Sequence, residues 1–293
     1  MSVITLNRAI VPALWPNDLA RIASCRYDRQ VGFSWRHVPE TRDELFEWAF
    51  IVEDSSPQAR SGQRHLVYSP EVADPMWNVV EDDNNCDVVI ILHGFLNSGD
   101  LSALGNWSKR ANNAASARHT LVLTSAGCTE PFQAQKNALG NLTEHVELKA
   151  GAVHLPDFGN RDELKLEHQV FTKVRDPSSA EKPAARGEDI SAYLREHDMY
   201  HTWALDPLPV YIRRPMGKES PISPTALRRG DFLEVAVKAD IQRLRRNGKT
   251  ATSLAFPIIR IVRLLPAADA QKLLPPTASA TTSPHPTFFL PPT

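Results

Sequence analysis

Cysteine is scarce in this chain. Cys25, Cys86 and Cys128 are the whole supply, an odd number with no closely spaced pair. No zinc or redox spacing can be built from them, and a reducing compartment, cytoplasm or nucleus, is expected. Long apolar runs are missing too. None approaches the ~18 residues of a membrane helix, and no basic segment precedes an apolar core near Met1, so neither a span nor a secretion leader is expected. No internal repeat and no G-x-S-x-G nucleophile elbow is present. No cofactor is expected.

What is present is an ordinary balance, 42% hydrophobic and 23% charged, with a net charge of −1. The charge is unevenly spread. Residues 43–100 hold twelve Asp or Glu against Arg60 and Arg64, a balance of −10. Residues 213–263 hold twelve Lys or Arg against four acids, a balance of +8. Two halves that meet each other, or a basic surface for an anionic partner, fit that asymmetry.

The stretch from Asp87 to Cys128 reads as strand, glycine-bearing loop, helix and strand. Val88 to Leu92 is an unbroken apolar run, suited to burial on both faces. Gly94 and Gly99 bracket a loop, and Leu101, Leu104, Trp107 and Ala111 recur at helical spacing. Leu121 to Leu123 return as a second strand, and the spacing predicts a right-handed parallel crossover. Upstream, Val31, Phe33 and Trp35 alternate as a strand, Thr41-Arg-Asp-Glu44 forms a capping box for a helix through Phe50, and His65 to Ser69 suits another strand. Residues 132–144 are polar and without clear pattern, and Val146 to Leu155 is expected to be a strand.

The clearest pattern lies in residues 231–264. Leu233, Val235, Val237, Ala239 and Ile241 alternate with polar residues, and Asn247-Gly248 supplies the two positive-φ positions of a tight hairpin. Centring on that turn, Arg246 faces Lys249, Ile241 faces Leu254, Ala239 faces Phe256, Val237 faces Ile258 and Leu233 faces Val262. Val235 opposite Arg260 is the one mismatch. Around the tip stand Arg243, Arg245, Arg246 and Lys249, with Arg228 and Arg229 ahead of the hairpin. These six are the candidate nucleic-acid contacts; an acidic protein surface is the other partner such a group fits.

The expected fold class is mixed α+β. It divides into a sheet-and-helix region over 1–174 with one β-α-β unit, a linker over 175–187, a basic β-hairpin module over 188–266 and a disordered tail over 267–293. A single sheet merging both regions is the alternative. The tail carries seven prolines from Pro266 onward and cannot bury enough apolar surface to offset its chain entropy.

Three resemblances bear on function. Arg228-Arg-Gly-Asp-Phe-Leu-Glu-Val, the basic hairpin and Ile258 to Leu264 resemble the closing strands of an OB-fold, as in single-strand-binding proteins, which implies a non-enzymatic nucleic-acid binder. His93-Gly94-Phe95 after a buried strand resembles part of an α/β-hydrolase. That implies an oxyanion loop, with His93, Ser125 and Cys128 as the catalytic candidates of an unusual esterase. The blocks Leu101 to Arg110, Leu121 to Cys128 and Arg229 to Val235 resemble a family of fungal proteins without an established activity. His197 and His201, four apart on an expected helix over 188–201, form half of a metal site at most, and no metal is expected.

Overall fold

The computed structural model of the chain describes residues 5–6, 9–10, 22–23, 30–34, 38, 41–53, 63–68, 86–150, 153–154, 158–160, 162–173, 199, 202–214, 218–246 and 249–274. Sheet dominates them. In chain order the strands are β1 (Thr5–Leu6), β2 (Ala9–Ile10), β3 (Ile22–Ala23), β4 (Gln30–Ser34), β5 (Ala49–Glu53), β6 (Arg64–Tyr68), β7 (Cys86–Asp100), β8 (Arg118–Thr124), β9 (Val153–His154), β10 (Glu163–Gln169), β11 (Phe171–Lys173), β12 (Trp203–Leu205), β13 (Val210–Arg213), β14 (Glu219–Pro221), β15 (Phe232–Lys238), β16 (Asp240–Arg246), β17 (Lys249–Ala255) and β18 (Ile258–Leu265). Three α-helices lie among the described residues: α1 (Arg42–Trp48), α2 (Thr129–Ala150) and α3 (Ala267–Leu273).

Strand β7 organises the rest. Val89 to Phe95 pair antiparallel with β15, and Phe95 to Asp100 pair antiparallel with β8. Strand β8 pairs along its whole length with β10. Glu167 of β10 then makes a parallel bridge to Pro257, immediately ahead of β18, and β18 pairs with β15. The five strands therefore close into a ring, which removes most free edges. The first half of β7 also pairs in parallel with β4 and, at its start, antiparallel with β6. Its run Val88 to Leu92 is buried throughout because Val88, Ile90 and Leu92 face the main core while Val89 and Ile91 face a second cluster with Ala236.

Several expectations are corrected here. Strands β7 and β8 are antiparallel, so the β-α-β crossover is absent. Strand β7 runs on through His93 to Asp100, and Gly94 and Gly99 lie inside it instead of in a loop. They are needed for close approach: a Cβ on Gly94 would come 2.9 Å from the Leu123 Cβ, and one on Gly99 would come 2.5 Å from the Thr120 carbonyl oxygen. The expected helix after residue 100 is replaced by turns and a 3-10 segment, Ala111–Ser116. Leu101 belongs to the barrel core, whereas Trp107 packs with Ala114 and Phe171 in a separate cluster, so the two do not share a stripe. Gly105 at φ +53° fixes the turn, its α-carbon lying where a Cβ would meet the Arg118 carbonyl oxygen at 2.3 Å.

The polar segment 132–144 and the start of the strand expected at 146–155 form α2. Phe132, Leu139, Leu142 and Val146 are spaced three, four and seven apart and join the barrel core. Among the described residues of that segment, Val153–His154 is extended beyond it, parallel to β17. Helix α1 begins as expected, with Thr41 Oγ accepting from Glu44 N at 3.4 Å and donating to its carboxylate at 2.7 Å. It stops at Trp48, and Phe50 is in β5. Residues 267–273, expected to be unstructured, form α3, which buries Ala270 against Phe95 and Phe232.

The hairpin register holds at its outer part. Arg246 pairs with Lys249, Ile241 with Leu254 and Val237 with Ile258. Toward Leu233 it shifts. A bulge between Ala236 and Val237 moves Val235 onto Ile261 and Arg260 onto Ala236, and Leu233 faces Arg263 instead of Val262. The bulge removes the one mismatch in the simple register by placing two buried apolar residues opposite each other. The Asn247-Gly248 turn itself, the linker, and the helix expected over 188–201 with His197 and His201 lie outside the described residues, Met199 excepted.

Candidate nucleic-acid interface and the sites beside it

The connection between ring strands β15 and β18 is the β16–β17 ribbon. Its base is flanked on both sides: Asp240 and Ile241 pair with His65 and Arg64 of β6, and Thr252 and Ser253 pair with Val153 and His154 of β9. Among the described residues, the pairs past those flanked ones, from Leu244↔Ala251 to Arg246↔Lys249, join β16 and β17 alone. Among the described residues the two-stranded ribbon thus extends past its neighbours; Arg245, Arg246 and Lys249 fall in that extension, and Arg243 stands at its base opposite Thr252. Arg243 and Arg245 stand opposite Thr252 and Thr250, and Arg246 opposite Lys249. Within each strand alternate residues share a face.

Arg228 and Arg229 are elsewhere. They lie on the loop before β15, at the end of that strand opposite to the ribbon, so the six expected contacts do not form one patch. The loop is firmly held. Gly230, at φ +89°, donates to the Leu96 carbonyl at 2.7 Å, and Leu96 N donates to the Asp231 carbonyl at 2.9 Å. The buried Asp231 carboxylate accepts from Arg228 N at 2.9 Å and from Ala267 N at 2.8 Å. Arg263 stands 3.5 Å from the same carboxylate. The Arg228 guanidinium donates to the carbonyls of Thr225 and Leu227. Arg229 is exposed and makes no hydrogen bond or ion pair among the described residues.

Between this loop and the last residues of β7 lies a groove of about 410 Å³, lined by residues 96–102 and by Pro224, Thr225, Leu227 and Arg229. Past Leu96 the pairing with β15 has ended, while β8 continues on the other side.

The hydrolase candidates do not assemble. His93 sits in mid-strand, 0% exposed, and neither ring nitrogen has a hydrogen-bond partner among the described residues. Its Nε2 is 3.5 Å from Glu234 Oε2, beyond ordinary hydrogen-bond distance. Ser125 is buried, with its Oγ accepting from Gly127 N at 3.3 Å. Cys128 is buried beside Phe95 and Phe232, and burial pushes its thiol pKa up, away from a reactive thiolate. The expected oxyanion loop is strand β7. No hydrogen bond joins His93 to Ser125 or Cys128.

Sequence reasoning missed the ionic network around Glu234. Burial alone raises the pKa of this carboxyl, but His93 and Arg213 outweigh burial and hold it below its ordinary value. Arg213 donates to both carboxylate oxygens, at 3.0 and 3.1 Å. It also reaches Glu219 at 3.3 Å, and Glu219 pairs in turn with Arg260, which lies 5.1 Å over the Tyr211 ring. The sequence signal was the mismatch of Val235 opposite Arg260, but the bulge that resolves it by setting Arg260 against Ala236 carries no mark in the sequence.

The outer face of β8 and β10 offers little for stacking. Leu121, Leu123, Leu164 and Leu166 point into the core, which leaves Thr120, Val122, Thr124, Lys165, Glu167 and Gln169 outside. Lys165 and Glu167 neutralise each other at 3.1 Å.

No protein-family model and no curated protein matches the chain, so the resemblance to the fungal family finds no support. Among solved structures it is similar to gp2.5, a single-stranded DNA-binding protein encoded by bacteriophage T7. That likeness has 15% identity and a TM-score of 0.34, covering 60% of this chain and 87% of that one. The single-stranded DNA-binding protein from bacteriophage Enc34 is similar at 9% identity in two structures. Its C-terminally truncated form has a TM-score of 0.31, covering 74% of this chain and 95% of that one. The other has a TM-score of 0.29, covering 74% and 91%.

Proposed function

We propose that this protein binds nucleic acid through the β16–β17 ribbon of an OB-like barrel. The observation that carries the reading is the position of the ribbon. It connects two strands of a closed five-stranded ring, among the described residues it outreaches the strands beside it, and four of the eight residues from Arg243 to Thr250 are Arg or Lys. In OB-folds one of the two loops that grip oligonucleotides occupies such a place. The absence of aromatic rings on the outer β8–β10 face favours contact with the phosphate backbone over base stacking, hence sequence-tolerant and salt-sensitive binding.

The test is fluorescence anisotropy with single- and double-stranded oligonucleotides over a range of salt. Replacing Arg243, Arg245, Arg246 and Lys249 together by Gln is expected to reduce the log–log salt slope by roughly 3, since each phosphate contact contributes about 0.7–0.9. Absence of binding tighter than about 0.1 mM at low salt would refute the reading. Binding to an acidic protein in its place would reassign the ribbon to that partner.

A further inference from the structure

The groove beside Arg229 is at the far end of β15 from the ribbon, and its chemistry is of a different kind. The ribbon is a row of cations. The groove has one cation, one carboxylate and several hydroxyls around a concave floor. Leu96, Leu101 and Leu227, all buried, form that floor. Arg229 lines the groove, and while Arg228 and Arg263 are tied to loop carbonyls or to Asp231, Arg229 makes no hydrogen bond or ion pair among the described residues. Asp100 lines it as well. One of its oxygens, Oδ1, is taken by Ser102, which donates from both its backbone N–H and its hydroxyl, at 3.2 and 2.8 Å. Oδ2 makes no hydrogen bond among the described residues, though the carboxylate acts electrostatically on His119. Ser98, exposed, also lines the groove and makes no side-chain hydrogen bond among the described residues.

A ligand that satisfies both needs an anionic group at Arg229 and a hydroxyl or amine donor at Asp100. A bare anion fits poorly because Asp100 repels it, and a bare cation fits poorly because Arg229 does. The volume, about 410 Å³, is in the range of small-molecule sites and too small for a duplex. The walls are set in place beforehand: one is a paired strand, and the other is the loop that Asp231, Gly230 and Leu96 pin. Little ordering cost remains for binding.

We propose that this groove binds a single nucleotide unit, with its phosphate on Arg229 and its sugar hydroxyl or base amine on Asp100. The choice of ligand class leans on the nucleic-acid reading, but the site is separate from the ribbon and is tested separately.

The experiment is a chemical-shift titration of the full, isotopically labelled chain with adenosine 5′-monophosphate, adenosine and inorganic phosphate, each up to about 10 mM, a range that reaches weak millimolar affinities. The monophosphate is expected to move the amides of residues 97–102 and 225–229. Its affinity is expected to exceed that of either adenosine or phosphate by at least about tenfold, as one charge-assisted contact supplies. Arg229→Gln, at an exposed position, is expected to reduce the monophosphate to the level of adenosine, and Asp100→Asn to weaken it while strengthening free phosphate. No shift at the groove, equal binding of phosphate alone, or full affinity in Arg229→Gln would each overturn the proposal. The fourfold ribbon variant is expected to keep this binding. Absence of oligonucleotide binding by the parent chain, with the monophosphate site intact, would count against the ribbon and leave the groove standing.

Discussion

The side-chain amide of Gln135 holds both backbone groups of His93: its Oε1 accepts from His93 N at 2.5 Å and its Nε2 donates to the His93 carbonyl at 2.9 Å. On that side of β7 the pairing with β4 has ended at Ile91, and the pairing with β8 begins only at Phe95. A helix side chain therefore fills the gap between two strands. It satisfies the backbone at a point where burial would otherwise leave two orphan polar groups.

Gln135→Leu keeps the volume and removes both hydrogen bonds. It is expected to cost roughly 2–5 kcal/mol, because two buried backbone groups lose their partners together. Urea denaturation measures this. A midpoint within error of the parent protein would show that the gap is filled some other way.

Stability is expected to fall as the solution is acidified below pH 6.5. Burial lowers the pKa of His93, His119 and His145 from their ordinary value of 6.5. Between the folded pKa and 6.5, the unfolded chain binds more protons than the folded one, so stability there rises with pH. Each histidine contributes at most about 1.4 kcal/mol per pH unit. Glu234 acts with the same sign further down, since the stability from its lowered pKa is lost as pH falls through that value. Asp206, its pKa raised by burial, opposes it in the acid range. Denaturation midpoints from pH 7.5 to 5 report the slope, and His93→Gln is expected to flatten it. A parallel slope in that variant would remove His93 from the account.

The ring is closed at one weak place. Between β10 and the start of β18 the backbone makes a single bridge, at Pro257, which has no N–H to give. The His168 ring supplements it, with Nδ1 2.6 Å from the Ile258 carbonyl and Nε2 3.1 Å from that of Asp206. His168→Phe keeps the stacking on His119, now at 5.7 Å between ring centres, and loses the N–H that the ring donates to one of these carbonyls. An expected loss of about 1–3 kcal/mol would appear as faster amide exchange in β10 and at the start of β18. Exchange that rose evenly over the whole barrel would argue against a local closure.

Because Arg246 pairs directly with Lys249, two residues connect β16 to β17, a length that calls for positive φ at Asn247 and Gly248. Gly248→Val is expected to cost on the order of 1–3 kcal/mol and to blur the ribbon in proteolysis. Equal resistance to limited proteolysis would speak against the mirror-type turn.

The legible parts of this sequence were those in which one period governed a whole element. Alternation from Leu233 to Ile241 and the Asn-Gly pair placed the ribbon and the Arg246–Lys249 register. The run Val88 to Leu92 announced a strand buried on both faces. Misreadings came where the pattern was thin or the glycines ambiguous. Helix α2 shows only five apolar anchors in 22 residues, one of them an alanine, and Gln135, a residue that looks like surface, is one of its most buried. Gly94 and Gly99 read as a loop because a glycine required for close packing in a strand and one required for a turn look alike in sequence. The groove joins residues 96–102 to residues 224–229, and no local pattern can announce a surface made by chain segments so far apart.

Strand β7 also sets a schedule for the protein's birth. His93 of β7 pairs with Glu234 of β15, so its partner leaves the ribosome only after some 140 further residues have been made. At roughly 5–20 residues per second, the apolar run Val88 to Leu92 waits on the order of 7–30 s before its barrel neighbour exists. Pairings of such long range also slow refolding of the finished chain. The yield of folded protein is therefore expected to depend on how fast the chain is translated.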